Sequence, residues 1–482
     1  MTLTISLQIL LAAAAIVATW ALARMAARRP LTAFLLLQCW YVLIQFLLES
    51  VFSDTPLATA SKEVLTGVFI LGAFQQWLAY PRTGVLRIRG FAFVAMGSIG
   101  CAIVAALTSP EGTRAVAALR FFALYPILMF AAIAMRHEVA ADPRSLVRFL
   151  RQFLILGVAV SVFGLLSYQF HGLIDSRWLT SAAAMNEVTQ RSGIASNAVV
   201  STLGNRSNMG GFAVLMLLMA AGTRHVIFRK RWAWVGFLGC GPVALALTLT
   251  FSRTAYVGLA VGGLFLFLAE RRPNLKILVT ATILIAGVGA LVDAVAPDSI
   301  AAALDTITDS TLSGRSGVWN DIAARIPESP FGVGLGVYGK GLRGFGADLQ
   351  LEGMGAVDNS FLLITVEQGL QAAALWMLLF LAIGIRAFKN LRSVQTPLGT
   401  AVARMVWAWY WAFLAMGVTI DWFHALPIIC PLWFFFGFQF ALPALERAWV
   451  TRHGIAYKKD FATASAGGAT RRGGMLLPVR QS

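Results

Sequence analysis

Apolar residues fall into long blocks separated by short polar runs, and thirteen of these blocks approach the ~20 residues a membrane crossing needs. They lie near 3–23, 31–52, 64–80, 90–107, 115–135, 150–170, 208–223, 232–250, 254–270, 276–293, 360–383, 403–421 and 426–445. The first has no basic stretch before it and no small-residue cleavage site after it, so it is read as a span and not a leader. The fold expected is an all-α integral membrane protein with about 13 transmembrane helices and two long extracytoplasmic loops.

The same pattern divides the chain. An N-terminal transmembrane bundle (1–170) leads to a first outer loop (171–207), central transmembrane helices (208–293), a large outer loop (294–359) and C-terminal transmembrane helices (360–445). A basic tail (446–482) follows, whose end is rich in small polar residues. Composition agrees: 58% of residues are hydrophobic, 13% are charged and the mean hydropathy is +0.74, outside the usage of soluble domains.

Charge changes the picture in one respect. The formal net charge of +17 suggests nucleic acid until its placement is read. Of the 39 lysines and arginines, 28 sit in alternate loops and the tail, in clusters such as Arg24, Arg28, Arg29 and Arg144, Arg148, Arg151. By the positive-inside rule those segments are cytoplasmic, and the two long loops and the N-terminus lie outside. Basicity is thus a topology signal, and nucleic acid is not an expected partner. The four cysteines lie inside predicted spans without a CxxC spacing, and the five histidines show no metal-ligand spacing.

Candidate chemistry gathers in the larger loop, which reads SGRSGVWNDIAARIPESPFGVGLGVYGKG from Ser313 and ends in DNSFLLITVEQG from Asp358. Its arginines stand in an otherwise acidic loop, so Arg315 is a candidate for an anionic ligand. Arg253, in the tight hairpin FSRTAY, reaches the same side, where a cation meets lipid headgroup phosphate or a bound diphosphate. Arg191 and Arg206 in the smaller loop either bind a ligand or pair with Asp175 and Glu187. Arg120 ends up near the outer end of its helix. Gly334, Gly336 and Gly339 spell G-x-G-x-x-G, but no strand–turn–helix surrounds them, so they are read as turn and close-approach positions. Asp421 and His424 are read as an interface cap, and no hydrolase elbow is present.

Four pieces in order resemble one family: RSG at Arg191–Gly193 leading to Asn208, SRTAYVGL at Ser252–Leu259, GRSGVWNDI…SPFGVGLGVYG at Gly314–Gly339, and DNSFLLITVEQGLQA at Asp358–Ala372. Together, over roughly 190–380, they resemble the O-antigen ligase and O-antigen polymerase superfamily. The resemblance implies a multi-pass glycosyltransferase of the bacterial inner membrane, active at its periplasmic face. Its donor would be an undecaprenyl-diphosphate-linked oligosaccharide and its acceptor a growing O-antigen or exopolysaccharide chain. A flippase and a chain-length regulator would be partners, and no cofactor is expected. One departure bears on the reaction. The ligases carry histidine, then Asn, Ser or Gln, nine residues and Gly, whereas this chain has Asp358, Asn359, nine residues and Gly369. That shifts the expectation from ligation onto lipid A core toward polymerisation.

The implied reaction expels a lipid diphosphate, so fixed arginines can stabilise the leaving charge without a metal. Arg253, Arg315 and Asp358 are the candidate catalytic residues. Arg191, Asn208, Trp319, Asn359 and Glu367 are the candidate substrate-binding ones. Asp358 either takes the acceptor proton or caps the helix that begins near Ser360. Glu367, costly in lipid, should face the interior, and Trp319 either stacks on a sugar or marks the interface. A polysaccharide or lipid exporter is the reading from another class, and a non-catalytic assembly partner is a third.

Overall fold

The structure, a computed structural model, describes residues 17, 19–44, 56–79, 89–134, 136–169, 199, 201–203, 206–228, 239–250, 252–270, 319–338, 359–423 and 425–453. Every regular element among them is helical. In chain order these are α1 (Pro30–Cys39) running into a π-helical turn (Trp40–Ile44), α2 (Pro56–Ala79), α3 (Arg89–Leu107) and α4 (Thr113–Leu119). A second π turn (Arg120–Leu124) leads to α5 (Leu128–Ala134), α6 (Arg136–Ala141) and α7 (Pro143–Gln169). A 3₁₀ turn (Ser201–Leu203), α8 (Arg206–Ile227), α9 (Gly241–Leu249), α10 (Arg253–Leu268), α11 (Ser360–Ser393), α12 (Pro397–Gly417) and α13 (Leu426–His453) complete the order.

The expected count of about thirteen crossings is corrected. Among the described residues, six helices are long and apolar enough to cross a membrane: Gly90–Leu107, Thr113–Ala141, Pro143–Gln169, Arg206–Ile227, Ser360–Ser393 and Leu426–Thr451. Apolar content was a poor guide to helix length. The block near 254–270 becomes the 16-residue α10, and the described part of the block near 232–250 is the nine-residue α9. The described part of the block near 31–52 gives the short apolar helix Pro30–Leu43. Neither α2 nor α12 is among the six, although apolar blocks were read within each. The block near 276–293 and most of the one near 3–23 lie outside the described residues. What stands is a multi-pass, all-helical membrane protein.

The core is α13. Of its most apolar window 89% is buried, against 33% for α3, so α13 is central and α3 peripheral among the described residues. Its aromatic run packs outward on every side: Phe434 stacks on Phe34 of α1 at 4.0 Å between centroids, and Phe440 stacks on Phe91 of α3 at 3.8 Å. Gly437 permits the closest approach, because a Cβ there would lie 2.0 Å from the Met129 carbonyl oxygen of α5. Such small-residue contacts are how helices associate in lipid, where water supplies no driving force.

The basic helix ends gather at one end of the bundle. Arg151 of α7 donates to the Ile227 carbonyl at the end of α8 (2.7 Å), and Arg224 pairs with Glu270 just past α10. Glu446 of α13 accepts from the backbone N–H groups of Gln395 and Thr396 between α11 and α12, and Trp449 donates to the Val139 carbonyl of α6. The starts of α8, α10 and α11 gather at the opposite end.

Candidate functional site

The span expected over 360–383 is not a straight crossing. Gly369 interrupts α11 with φ 88° and ψ 171°. In a continuous helix Phe361 and Phe380, 19 steps apart, would be separated by about 28 Å; their ring centroids are 6.0 Å apart. The first half, 360–368, therefore doubles back along the second, 370–393. Gln368 is tied to it by a 3.2 Å bond from the Trp376 indole. Asn359 is the N-cap of this half-helix: its side-chain oxygen accepts from the N–H groups of Phe361 and Leu362, both at 3.0 Å. The nine residues between Asn359 and Gly369 are the whole half-helix.

Breaking a helix frees carbonyls that need donors away from water. The glycine-rich segment 329–338 supplies them. Val333 N–H donates to the Val366 carbonyl (2.9 Å), Gly334 N–H to the Glu367 carbonyl (3.0 Å), and Leu370 N–H returns a bond to the Pro330 carbonyl (2.9 Å). Tyr338 N–H donates to the Glu367 carboxylate at 2.8 Å. The other edge is held by α3 and the turn after it: Leu335 N–H donates to the Ala105 carbonyl, and the Ser109 hydroxyl to the Leu335 carbonyl. The glycines act as close-approach positions, as expected. Gly332 and Gly334 have φ of 90° and 101°, and a Cβ on Gly332 would lie 2.5 Å from the Glu367 carbonyl oxygen.

The start of the half-helix meets two other helix starts at the turn 419–422. The Ser360 hydroxyl donates to the Ile420 carbonyl and accepts from Trp422 N–H, each at 2.9 Å. Thr254, second residue of α10, shares a 2.8 Å hydroxyl bond with Thr419. Gly211 of α8 lies so close to the Trp422 ring that a Cβ there would sit 2.4 Å from it, and Gly210 faces Ser252 and Ala255. Arg253 is thus the first residue of a helix gripping the same turn as the half-helix. Its N-cap, Ser252, is extended and makes no side-chain capping bond. Such a helix start offers backbone donors and a positive dipole end to an anion.

Of the sequence candidates, Arg253, Asn208 and Asn359 lie at these three converging helix starts. Asn208 makes a long 3.5 Å bond to the Leu203 carbonyl, tying the 3₁₀ turn to α8. Trp319 is elsewhere along the chain, half-buried, opening a short helix at 319–325 that is anchored by Ile322. Glu367, buried at 1% exposure, sits at the far end of the half-helix with a backbone partner. Asp358, Arg315, Arg191 and His424 lie outside the described residues, as does Gly339; the N-cap position weighed for Asp358 is held by Asn359. Arg120 pairs with Glu63 of α2, at the start of the second π turn. Asp421 accepts from Phe423 N–H and so closes its own turn. The hydroxyls of Ser360, Thr254 and Thr419 were not singled out; the first two open expected spans within the quoted motifs, and Thr419 lies two residues before the end of another span. Among the described residues no three metal-ligating side chains cluster.

A comparison with known families gives a match over residues 238–377 to the family described as O-antigen ligase. Over that stretch, less than a third of its length, the chain is similar to the O-antigen ligase family. The matched O-antigen ligase region holds α9, α10, the docked glycine segment, the half-helix and the break at Gly369. It also contains Arg253, Arg315, Trp319, Asp358, Asn359 and Glu367, while Arg191 and Asn208 precede it. No curated protein matches the chain.

Proposed function

We propose that the protein is a membrane glycosyltransferase that polymerises undecaprenyl-diphosphate-linked repeat units of O-antigen or exopolysaccharide at the periplasmic face. The observation that carries this reading is the convergence of three helix starts on the turn 419–422, with Arg253 leading one of them. Discontinuous membrane helices characteristically aim their starts at anionic groups. A diphosphate is an anion that needs such donors when it leaves, and the family match points to a glycan carrier of that kind.

In the proposed reaction an acceptor hydroxyl oxygen bonds to the donor's anomeric carbon while the bond from that carbon to the diphosphate oxygen breaks. The lipid diphosphate departs with the electron pair. Arg253 and Arg315 stabilise its charge, with Arg191 supporting them from the first loop. Asp358, one residue before the capped Asn359, takes the hydroxyl proton. An unperturbed aspartate, with a pKa of about 3.9, is a weak base, and partial desolvation strengthens it. Asn208 and Trp319 are assigned to the glycan.

Deletion of the gene separates polymerase from ligase. Cells left with single repeat units on the lipid carrier support polymerisation, whereas long polymer left unattached to lipid A core supports ligation. The half-helix also suits an exporter, since broken helices line transport paths. Transport needs two compartments, so glycan transfer by purified protein in detergent counts against it.

A further inference from the structure

We infer that Glu367 is a positioning residue: its carboxylate, bonded to Tyr338 N–H, latches the glycine segment to the broken helix and so fixes where the half-helix start points. This rests on the proposed function only for its effect on turnover. The latch itself stands on geometry. A nine-residue helix has too few internal bonds to be stable alone, and its orientation is set by what holds its two ends. At the start, Asn359 and Ser360 bind it to itself and to the turn 419–422. At the end, Gly369 leaves the helical path, and 330–338 bonds to the Val366 and Glu367 carbonyls before it and the Leu370 N–H after it.

Within that segment the backbone bonds of Val333 and Gly334 reach only the Val366 and Glu367 carbonyls. Glu367 extends the grip by four residues, to Tyr338, from a fully desolvated position. The buried Tyr338 N–H left without this acceptor is costly. The side chain thus ties the described part of the large loop to the end of the half-helix, whose start meets the turn 419–422. A buried acid in a membrane helix, read from sequence as pairing with an arginine or lining the substrate path, acts here through the backbone it holds.

The test uses full-length protein in lipid nanodiscs, with hydrogen exchange read by mass spectrometry and transfer measured with a lipid-diphosphate oligosaccharide. Glu367→Ala should speed exchange in both 333–338 and 360–366 while α8 and α13 are unchanged, and should lower kcat/KM about 10- to 100-fold. Glu367→Gln, which keeps an acceptor oxygen, should stay within about threefold of wild type. Tyr338→Pro removes the donor and leaves the acid, so it should reproduce the Glu367→Ala exchange pattern, and the double variant should add nothing. Unchanged exchange in Glu367→Ala and Tyr338→Pro overturns the latch. So does a Gln variant as inactive as the Ala variant with wild-type exchange, which would place the carboxylate on substrate. Altered exchange with no transfer by the wild type would leave the latch standing and sink the proposed reaction instead.

Discussion

At the scale of single residues, Asp358 and Asn359 divide two tasks that the sequence left to either. The cap belongs to Asn359, whose oxygen takes two backbone donors, and this leaves Asp358 for chemistry in the proposed mechanism. Asn359→Ala should cost about 1 kcal/mol of stability, and Asn359→Asp much less, as read by thermal unfolding in detergent. Asp358→Asn should unfold with the wild type yet lose most transfer activity; normal turnover would remove it as the base. Arg253→Lys keeps the charge but loses the planar fork, so it should lose activity along with Arg253→Ala. A lysine variant with wild-type chain lengths would reduce Arg253 to a charge at the membrane surface. The residues that assemble the site, Ser360, Thr254 and Thr419, were illegible because a hydroxyl at a helix end has no sequence signature of its own.

At the scale of elements, the informative spacing was visible and its meaning was not. Asn359, nine residues, Gly369 was legible as a motif; that it encodes a cap, a half-helix and a reversal depends on a positive φ that only the fold reveals. Hydropathy read the same stretch as one crossing, because a helix folded back on itself is as apolar as a straight one. Gly334 and Gly336 were legible as turn and close-approach positions, though not what they approach. Gly369→Ala would set a Cβ 2.4 Å from the Phe331 carbonyl carbon in a left-handed conformation. It should destabilise the protein by more than about 1 kcal/mol, seen as a lower midpoint of thermal unfolding. An unchanged midpoint would mean that the reversal is not held at Gly369.

For the whole molecule, the sidedness of charge was the strongest signal and the span count the weakest. Among the described residues, Arg151 and Arg224 lie at one end of the bundle, where they and Glu446 bind neighbouring helix ends. Counting apolar blocks failed because short helices such as α9 and α10 are as apolar as full crossings. With the basic end in the cytoplasm, cysteines at Ser176 and Asp348, in a background lacking the four native cysteines, should react with an impermeant thiol reagent in intact spheroplasts. Labelling only after lysis would invert the molecule and remove its access to periplasmic glycan.

The most direct measurement is turnover by the purified protein in detergent, given a defined lipid-diphosphate repeat unit and no added metal. The products are glycan length and released lipid diphosphate. Polymer should grow with one lipid diphosphate released for each new glycosidic bond, and Arg253→Ala should abolish both while folding normally. Release without glycan growth, or growth unaffected by Arg253→Ala, would contradict a diphosphate seated where the three helix starts converge.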